Sequence, residues 1–289
     1  MQPKPYRKVE SKKVFFLANP DKPNADSALA ELRRFADSRC HVVGAELGLD
    51  GRAAVDAGAD YIVIIGGDGT LIGVSRSLGA DQIPLVGINV GKLGFLAEFS
   101  VAEFMDCFEQ VLSDPALVRR RTVLETVVQH NGSVRSRSIA VNDCVIQAGA
   151  PFRLITLGIS IDGIHLTEIV GDGLIICTPS GSTAHSLSAG GPILQPGIDA
   201  IVLTPLCPHS LTHKPLVIER DSIIEIGALG VNEGTTAIID GQVLCPLEPG
   251  DLVAVRRFPT DMLRVRHPDR ARWHNLVAKL HWGKGPNYE

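Results

Sequence analysis

Short apolar runs alternate with segments of helical spacing through roughly the first 120 residues. Three runs predict buried strands, in the order 12–20, 61–67 and 83–90. Three segments predict helices, namely 26–39, 70–79 and 100–114. The last of these helices begins with Ser100 and Glu103, which form a capping-box pattern. Strands that alternate with helices predict a doubly wound parallel sheet with helices on both faces.

The pattern changes after Arg121 to short strands separated by glycine turns, among them an Asn131-Gly132 hairpin signal. This indicates an antiparallel β-sandwich domain over 122–267, interrupted by one helix-like stretch, STAHSLSAGG. The tail predicts an amphipathic helix within 268–289, with Trp273, Leu276, Val277 and Leu280 on one face. We expect this helix to pack on the first domain, residues 1–121.

Composition and charge narrow the class of protein. The chain has 289 residues, of which 45% are hydrophobic and 21% charged, as in ordinary globular proteins. A net charge of −4 does not favour nucleic-acid or membrane-surface binding, and no apolar run is long enough to span a bilayer. Six scattered cysteines and the lack of a secretory signal predict a reduced, cytoplasmic protein. No zinc-type ligand cluster is found, and we predict no direct protein ligand to a metal.

The stretch GGDGT at 66–70 follows a buried strand and carries the first candidate chemistry. It does not fit the dinucleotide fingerprint, because Ile72 stands where glycine or alanine is needed, and no Walker A loop is present. Glycines allow left-handed or crowded backbone and a close ligand, so we predict phosphate binding by Gly66, Gly67, Gly69 and Thr70. Asp68 would take a proton from an attacking hydroxyl or help to hold Mg²⁺. The alternative is a plain Gly-Asp-Gly turn.

Three further polar stretches could face a ligand. Asn142 and Asp143 lie inside an apolar strand pattern, where polar side chains need partners, although a hydrogen-bonded bulge would also explain them. The stretch 171–197 places Asp172 between glycines and then brings Thr178, Ser180, Ser182 and Thr183 to a helix start, which suits ribose or phosphate. A capped helix is the alternative there. A third glycine-flanked carboxylate occurs in Asp240-Gly241-Gln242.

From about residue 60 to the C-terminus the chain resembles the NAD kinases. The resemblance rests on six stretches: GGDGT (66–70), GINVGKLGFL (87–96), Asn142-Asp143, GDGLIICTPSGSTAHSLSAGGPIL (171–194), LTPLCPHSL (203–211) and DGQ (240–242). GGDGT alone is shared with diacylglycerol and sphingosine kinases. The ordered TPSGSTAHSLSAGGP stretch is much more specific.

The resemblance implies transfer of the γ-phosphoryl of ATP, or of inorganic polyphosphate, to the 2′-hydroxyl of the adenosine ribose of NAD, with Mg²⁺ as cofactor. It implies that Asp68 accepts the proton beside Gly69, and that Asn142 and Asp143 bind the adenosine. The other residues it implies as ligand contacts are Arg153, Asp172, Thr183, Ala184, His185, Ser186, Leu187, Ser188 and Gln242. It also implies a β-sandwich that binds NAD and forms a homodimer or homotetramer, with some contacts crossing the subunit boundary.

Two positions depart from the family pattern. His185 stands where a tyrosine is usual, which can change substrate affinity or its pH response. Val170 stands where an arginine is common, which removes one cationic contact. A lipid kinase of the same superfamily and a catalytically silent NAD(P) sensor are the alternative interpretations. The phosphate donor, the choice of NAD or NADH, the number of subunits and allosteric control stay open.

Overall fold

The computed structural model describes residues 9, 11–91, 94–270 and 274–280. Its contacts divide the chain into two compact units. The first unit consists of Met1–Arg119 and Leu263–Glu289, and the second is Arg120–Met262.

The secondary structure comprises eighteen strands, seven α-helices and two short 3₁₀-helices in the described part of the chain. The strands are β1 (Lys13–Ala18), β2 (His41–Leu47), β3 (Tyr61–Gly66), β4 (Leu85–Asn89), β5 (Val118–Arg121), β6 (Leu124–His130), β7 (Ser133–Ala140), β8 (Asp143–Gln147), β9 (Ile155–Ile161), β10 (Ile164–Gly171), β11 (Gly173–Cys177), β12 (Ala200–Leu206), β13 (Leu216–Glu219), β14 (Ile224–Gly230), β15 (Thr236–Ile239), β16 (Val243–Pro246), β17 (Leu252–Arg257) and β18 (Met262–Val265). The α-helices are α1 (Ala25–Ala36), α2 (Arg52–Asp56), α3 (Asp68–Leu78), α4 (Val101–Asp106), α5 (Phe108–Ser113), α6 (His185–Ser188) and α7 (His274–Leu280), and the 3₁₀-helices are Pro115–Leu117 and Gly181–Thr183.

The first unit is built on a six-stranded sheet in the order β2-β1-β3-β4-β18-β5. β1 pairs in parallel with β2 and β3, and β4 pairs in parallel with β3 and β18. All six residues of β3 are buried, as its unbroken apolar run predicts for an inner strand. β18 follows the antiparallel strands in sequence but pairs with β4, placing Arg264 opposite Leu85.

Helices cover both faces of this parallel sheet. Val14, Phe16 and Val63 point to one face and pack in a buried cluster with Leu32 of α1. Gly87 of β4 points to the other face, where a Cβ built on it would lie 2.8 Å from Leu71 Cδ1 of α3. The predicted doubly wound α/β architecture is therefore confirmed.

Three strands of this sheet, β2, β5 and β18, were not predicted. β2 lies at the sheet edge and has no fully buried residue, only four half-buried residues between exposed ends, so it lacks the buried apolar run that marks an inner strand. Gly44 within it also interrupts the β-forming sequence, and the ring of Phe15 lies where a Cβ on Gly44 would be. The strand at 61–66 is consequently the third strand of the chain, and the prediction that it is the second was wrong.

The helix predicted over 100–114 is two helices, α4 and α5, which meet at Cys107 with φ −110° and ψ 16°. The break leaves Phe104 and Phe108 in an edge-to-face contact with ring centroids 5.3 Å apart. The capping box at the start of α4 is confirmed. Glu103 N–H donates to Ser100 Oγ at 3.2 Å, and Ser100 N–H donates to Glu103 Oε2 at 2.8 Å.

The second unit is a sandwich of two six-stranded sheets, β10-β9-β14-β17-β6-β7 and β13-β12-β11-β8-β15-β16. Neighbouring strands in both sheets are antiparallel, and one buried core cluster contains apolar residues from both. The hairpin between β6 and β7 turns at Asn131 and Gly132, with φ values of 47° and 79°. The predicted β-sandwich and its Asn-Gly hairpin are confirmed.

Of the predicted C-terminal helix, the structure describes α7, and Trp273 lies outside the described residues. Lys279 Nζ of α7 lies 4.6 Å from the centroid of the Phe95 ring, and both residues belong to the first unit. Within the described residues, no helix combines the length and apolar character needed to cross a bilayer.

Candidate functional site

The GGDGT stretch makes the junction between β3 and α3. β3 ends at Gly66, Gly67 precedes the helix, and Asp68 is its first residue. Gly67 has extended backbone at φ −124°, and neither Gly66 nor Gly69 is among the glycines with positive φ. These glycines therefore do not provide left-handed conformation, but Gly66 is crowded, because a Cβ there would overlap the side chain of Thr70.

The Thr70 hydroxyl makes contacts inside the protein. Its Oγ1 accepts a hydrogen bond from Asn19 Nδ2 at 2.9 Å and one from Gly67 N–H at 3.3 Å. Asn19 follows β1, so this bond joins the carboxyl ends of two neighbouring strands. The predicted phosphate contact of Thr70 would therefore involve a hydroxyl oxygen that already accepts two hydrogen bonds within the protein.

The carboxylate of Asp68 is held by three main-chain hydrogen bonds. Its Oδ2 accepts a hydrogen bond from Phe95 N–H at 2.7 Å, and its Oδ1 accepts from Leu96 N–H and Ala97 N–H, both at 2.9 Å. A Cβ built on Gly94 would overlap Oδ1, so a side chain at that position would displace the carboxylate. A carboxylate offers about four lone-pair directions, and these three bonds leave one of them, on Oδ2, for a hydroxyl donor.

The second unit contains a pocket of about 220 Å³. It is lined by two turns, two strands and the start of α6, through Asn142, Asp143, Val145, Gln147, Ala184, His185, Ile238, Asp240 and Gly241. Among the predicted site residues it brings together Asn142, Asp143, Ala184 and His185.

Only Asp143 of the Asn142-Asp143 pair lies in a strand, whereas the prediction placed both residues inside an apolar strand pattern. β7 ends at Ala140 and β8 starts at Asp143, so Asn142 belongs to the turn between them. Asp240 holds this turn through its carboxylate, which accepts from the N–H groups of Val141, Asn142 and Asp143 at 2.9, 2.7 and 3.1 Å. Three main-chain donors that the turn leaves unpaired are satisfied in this way.

Asp240 itself sits in the hairpin between β15 and β16. It has φ 50° and the following Gly241 has φ 67°, the left-handed pair that an Asp-Gly hairpin turn requires. Its own N–H donates to Asp143 O at 2.9 Å, so the two turns are bonded in both directions.

The TPSGST loop, residues 178–183, also bonds to the turn that contains Asn142. Thr178 Oγ1 donates to Val141 O at 2.7 Å, and Thr178 N–H donates to Asn142 O at 2.8 Å. A Cβ built on Gly181 would overlap Asn142 O, so the loop and the turn are in direct main-chain contact. The backbone around Asn142 is thus fixed by Thr178, Gly181 and Asp240 together.

Asp143 is buried, with 5% of its surface exposed, and it lines the pocket. Burial, and after it the nearby Asp240 charge, raises the pKa of Asp143 from 3.8 to about 7. Near neutral pH this carboxyl is consequently divided between its protonated and ionised forms.

Two family models match the chain: the N-terminal domain of ATP-NAD kinases at residues 27–116, and the C-terminal domain at 141–266. An NAD kinase of Rhodopirellula baltica is 37% identical over 270 residues, which cover 93% of this chain and 86% of the relative. The chain belongs to the NAD kinase family. An NAD kinase of Geobacter sulfurreducens is 38% identical over 282 residues, covering 94% of this chain and 99% of that protein.

Solved structures agree with this assignment to the NAD kinases. A yeast NADH kinase complexed with NADH is similar with a TM-score of 0.82 and 26% identity, covering 96% of this chain and 89% of its own. An NAD kinase of Archaeoglobus fulgidus in complex with ATP has the same fold, with a TM-score of 0.74, 22% identity and coverage of 93% and 98%. The predicted family, fold class and enzyme class are confirmed.

The remaining predicted residues of this NAD kinase family member lie outside the pocket lining. Ser186 is buried and its hydroxyl lies 2.9 Å from Thr204 Oγ1, and Thr183 Oγ1 donates to Ser180 O at 3.4 Å. Asp172 is half-buried beside Cys207. The other four residues do not line the pocket either. Arg153, Ser188 and Gln242 are exposed, and Leu187 is half-buried.

Sequence reasoning did not assign five of the residues that line the pocket: Val145, Gln147, Ile238, Asp240 and Gly241. Asp240 carried a usable signal, because it is flanked by glycine like the other two candidate carboxylates. Val145 and Ile238 are ordinary strand residues, and only the pairing of β8 with β15 brings them side by side.

Proposed function

We propose that this chain transfers the γ-phosphoryl group of ATP to the 2′-hydroxyl of the adenosine ribose of NAD, producing NADP. The observation that carries the proposal is the pocket around Asn142 and Asp143 in a chain that belongs to the NAD kinase family. Its volume is below the range of roughly 300–1,000 Å³ that whole drug-sized ligands occupy, so it suits one part of a dinucleotide.

Adenosine recognition would use the turn that Asp240 holds. Asn142 offers both amide donors and an acceptor, while Asp143 accepts hydrogen bonds when ionised and donates one when protonated. Ala184 and His185 add a small apolar surface and a ring that can stack or hydrogen-bond. We further propose that Thr183, Ser186, Leu187, Ser188, Asp172, Gln242 and Arg153 contact other parts of the substrate, as the family resemblance implies.

Asp68 would act as the proton acceptor for the ribose hydroxyl. The three main-chain bonds fix both of its oxygens, so its free lone pair has a single direction in which to receive the hydroxyl hydrogen. Phosphoryl transfer depends mostly on positioning and charge neutralisation, and a fixed acceptor satisfies the first need. The main chain at residues 67–69, at the start of α3, suits the phosphates, and Gly67 N–H would share its hydrogen between them and Thr70 Oγ1.

Magnesium would enter this reaction with the phosphate donor. Among the described residues, no group of three or more His, Cys, Asp or Glu side chains is arranged to hold a metal ion. Mg²⁺ commonly keeps several waters and binds through substrate phosphates, so we propose that it arrives bound to ATP or polyphosphate as part of the substrate.

The test is an assay of the purified protein with NAD, ATP and Mg²⁺, scored for NADP. Asp68→Asn should lower kcat about 10²- to 10⁴-fold without unfolding the protein, since a general base typically contributes that much. Asp106→Asn, which changes an exposed carboxylate elsewhere in the same unit, is the matched control and should keep full activity.

Other outcomes would favour the alternatives. Near-full turnover by Asp68→Asn would show that the proton acceptor is wrongly assigned. Phosphorylation of a lipid without NADP would indicate a lipid kinase, and tight NAD binding without turnover would indicate a sensor. Parallel reactions with polyphosphate in place of ATP, and with NADH in place of NAD, identify the donor and the preferred acceptor.

We propose that the protein acts in the cytoplasm as a homodimer or homotetramer. The six cysteines, all within the described part of the chain, form no disulfide. The edge strand β10 exposes Ile164 and Leu166, each at least 50% accessible. Apolar residues grouped on a sheet edge favour self-association, which sedimentation velocity measures directly.

A further inference from the structure

The segment that holds Asp68 is itself held by the end of the chain. Residues 94–98, called here the return segment, follow β4 in sequence and lead to Phe99, whose main chain bonds back to β4. Phe99 N–H donates to Gly87 O at 3.1 Å, and Asn89 N–H donates to Phe99 O at 2.6 Å. These bonds anchor the far end of the return segment, but the part that faces Asp68 needs other contacts.

Arg264 of β18 provides one of these contacts. Its side chain is 5% exposed, its Nη1 donates to Phe95 O at 3.0 Å, and its Nη2 forms an ion pair with Glu98 Oε1. A buried guanidinium with a two-point contact to main chain and carboxylate allows little movement. Phe95 is the shared residue, because its N–H binds Asp68 and its C=O binds Arg264.

The residues after Arg264 continue the same support. His267 N–H donates to Glu98 Oε2 at 2.9 Å, and Arg270 Nη1 donates to Glu98 O. Lys279 Nζ lies over the Phe95 ring. The chain that returns from the second unit therefore contacts the return segment at Phe95 and Glu98, by main chain and side chain together.

We infer that Arg264 is a positioning residue for phosphoryl transfer: it fixes the return segment, whose N–H groups aim the carboxylate of Asp68. This inference rests on the proposed role of Asp68. Arg264 touches neither Asp68 nor, in this assignment, the substrate, so it acts through the Phe95 peptide. A shift of about 1 Å in a reacting group can reduce the rate about 10²-fold, so loss of this contact should affect turnover more than substrate binding.

The main test is Arg264→Lys, which keeps a positive charge opposite Glu98 but cannot make the planar two-point contact. We expect kcat to fall about 10- to 100-fold while KM for NAD stays nearly unchanged. In an Asp68→Asn background the same substitution should cause no further loss of kcat, because the group it positions is already gone. A merely structural role would lower kcat by the same factor in both backgrounds.

Amide hydrogen exchange tests the contact without relying on activity. In Arg264→Lys the N–H groups of 95–97 should exchange faster than in the wild type, while those of β3 should not change. Leu32→Ala, a core variant on α1 outside the hydrogen bonds of the return segment, controls for general destabilisation and should raise exchange at 95–97 no more than elsewhere in the first unit.

Equal losses of kcat in both backgrounds, or unchanged exchange at 95–97, would overturn the inference. If the wild type formed no NADP, the proposed function would fail, and so would the positioning role. Faster exchange in Arg264→Lys would then show that only the contact with the return segment is real.

Discussion

Asp143→Asn should stabilise the protein most at alkaline pH while weakening its binding of NAD. The carboxyl is buried beside Asp240, which raises its pKa from 3.8 to about 7, and asparagine has nearly the same shape without a titrating charge. The difference in stability between the wild type and Asp143→Asn therefore measures the free energy of holding an ionised carboxylate at residue 143.

The sign of the change in stability with pH follows from proton binding to Asp143 in the folded and unfolded states. Between about pH 4 and pH 7 the folded protein binds the Asp143 proton more tightly than the unfolded chain does, so stability falls as the pH rises through this window. Above pH 7 Asp143 is ionised in the folded protein, and this lowers the free energy of unfolding by at most about 4 kcal/mol for a pKa difference of this size. Between pH 5 and pH 8 the wild type should lose roughly 2–3 kcal/mol through this group, a loss that Asp143→Asn avoids.

Urea unfolding of both proteins at pH 5 and pH 8 measures this difference. The gain in free energy of unfolding from Asp143→Asn should be about 2–3 kcal/mol larger at pH 8 than at pH 5. The exposed substitution Asp106→Asn is the control and should show no such pH dependence. In kinetic assays the same Asp143 variant should raise KM for NAD about tenfold or more, because a hydrogen-bonding group aimed at the adenosine has changed.

A gain that is equal at the two pH values would refute the reasoning, since it would show that Asp143 does not titrate in this window. A loss of stability at pH 8 would refute it more strongly. It would mean that the ionised carboxylate has stabilising partners that offset its burial and the charge of Asp240.

Two glycine substitutions test the main-chain contacts at the two candidate sites. Gly94→Ala should lower kcat about 10²-fold with little change in KM for NAD, because its Cβ would displace Asp68 Oδ1, and steady-state kinetics measure both constants. Gly181→Ala should raise KM for NAD and lower the free energy of unfolding by about 1–3 kcal/mol, because its Cβ would overlap Asn142 O, and urea unfolding measures the loss. Gly48→Ala, where nothing lies within 4 Å of the added Cβ, is the control for both, and equal behaviour of all three would contradict the packing described.

Local signals were sufficient where the structure depends on neighbours in sequence. The buried run of β3, the Asn131-Gly132 hairpin and the Ser100 capping box each involve fewer than ten residues, and each was predicted. β2 was missed because an edge strand is half exposed and needs no continuous apolar run.

The candidate sites depend on long-range contacts, which a single sequence does not reveal. Asp240 lies 97 residues from Asp143 and holds its turn, and Arg264 lies 169 residues from Phe95. The residue types gave no indication of these partners, because an Asp-Gly hairpin and an Arg on a short strand are both common. The sequence singled out glycine-flanked carboxylates as candidates but not the main-chain groups that bind Asp68 and Asp240.

Asp68 and Asp240 use the same arrangement in different units. Each accepts three consecutive main-chain N–H groups, the first on Oδ2 and the next two on Oδ1. Gly94 faces Asp68 and Gly181 faces Asn142, and at both positions the missing Cβ makes room for protein atoms. A carboxylate bound in this way cannot rotate away from its loop, so the direction of its remaining lone pair is set by the main chain. In a reaction that depends on positioning more than on covalent chemistry, that fixed direction is what Asp68 would contribute in its proposed role, and the loop contacts would then matter as much as the acidic residue itself.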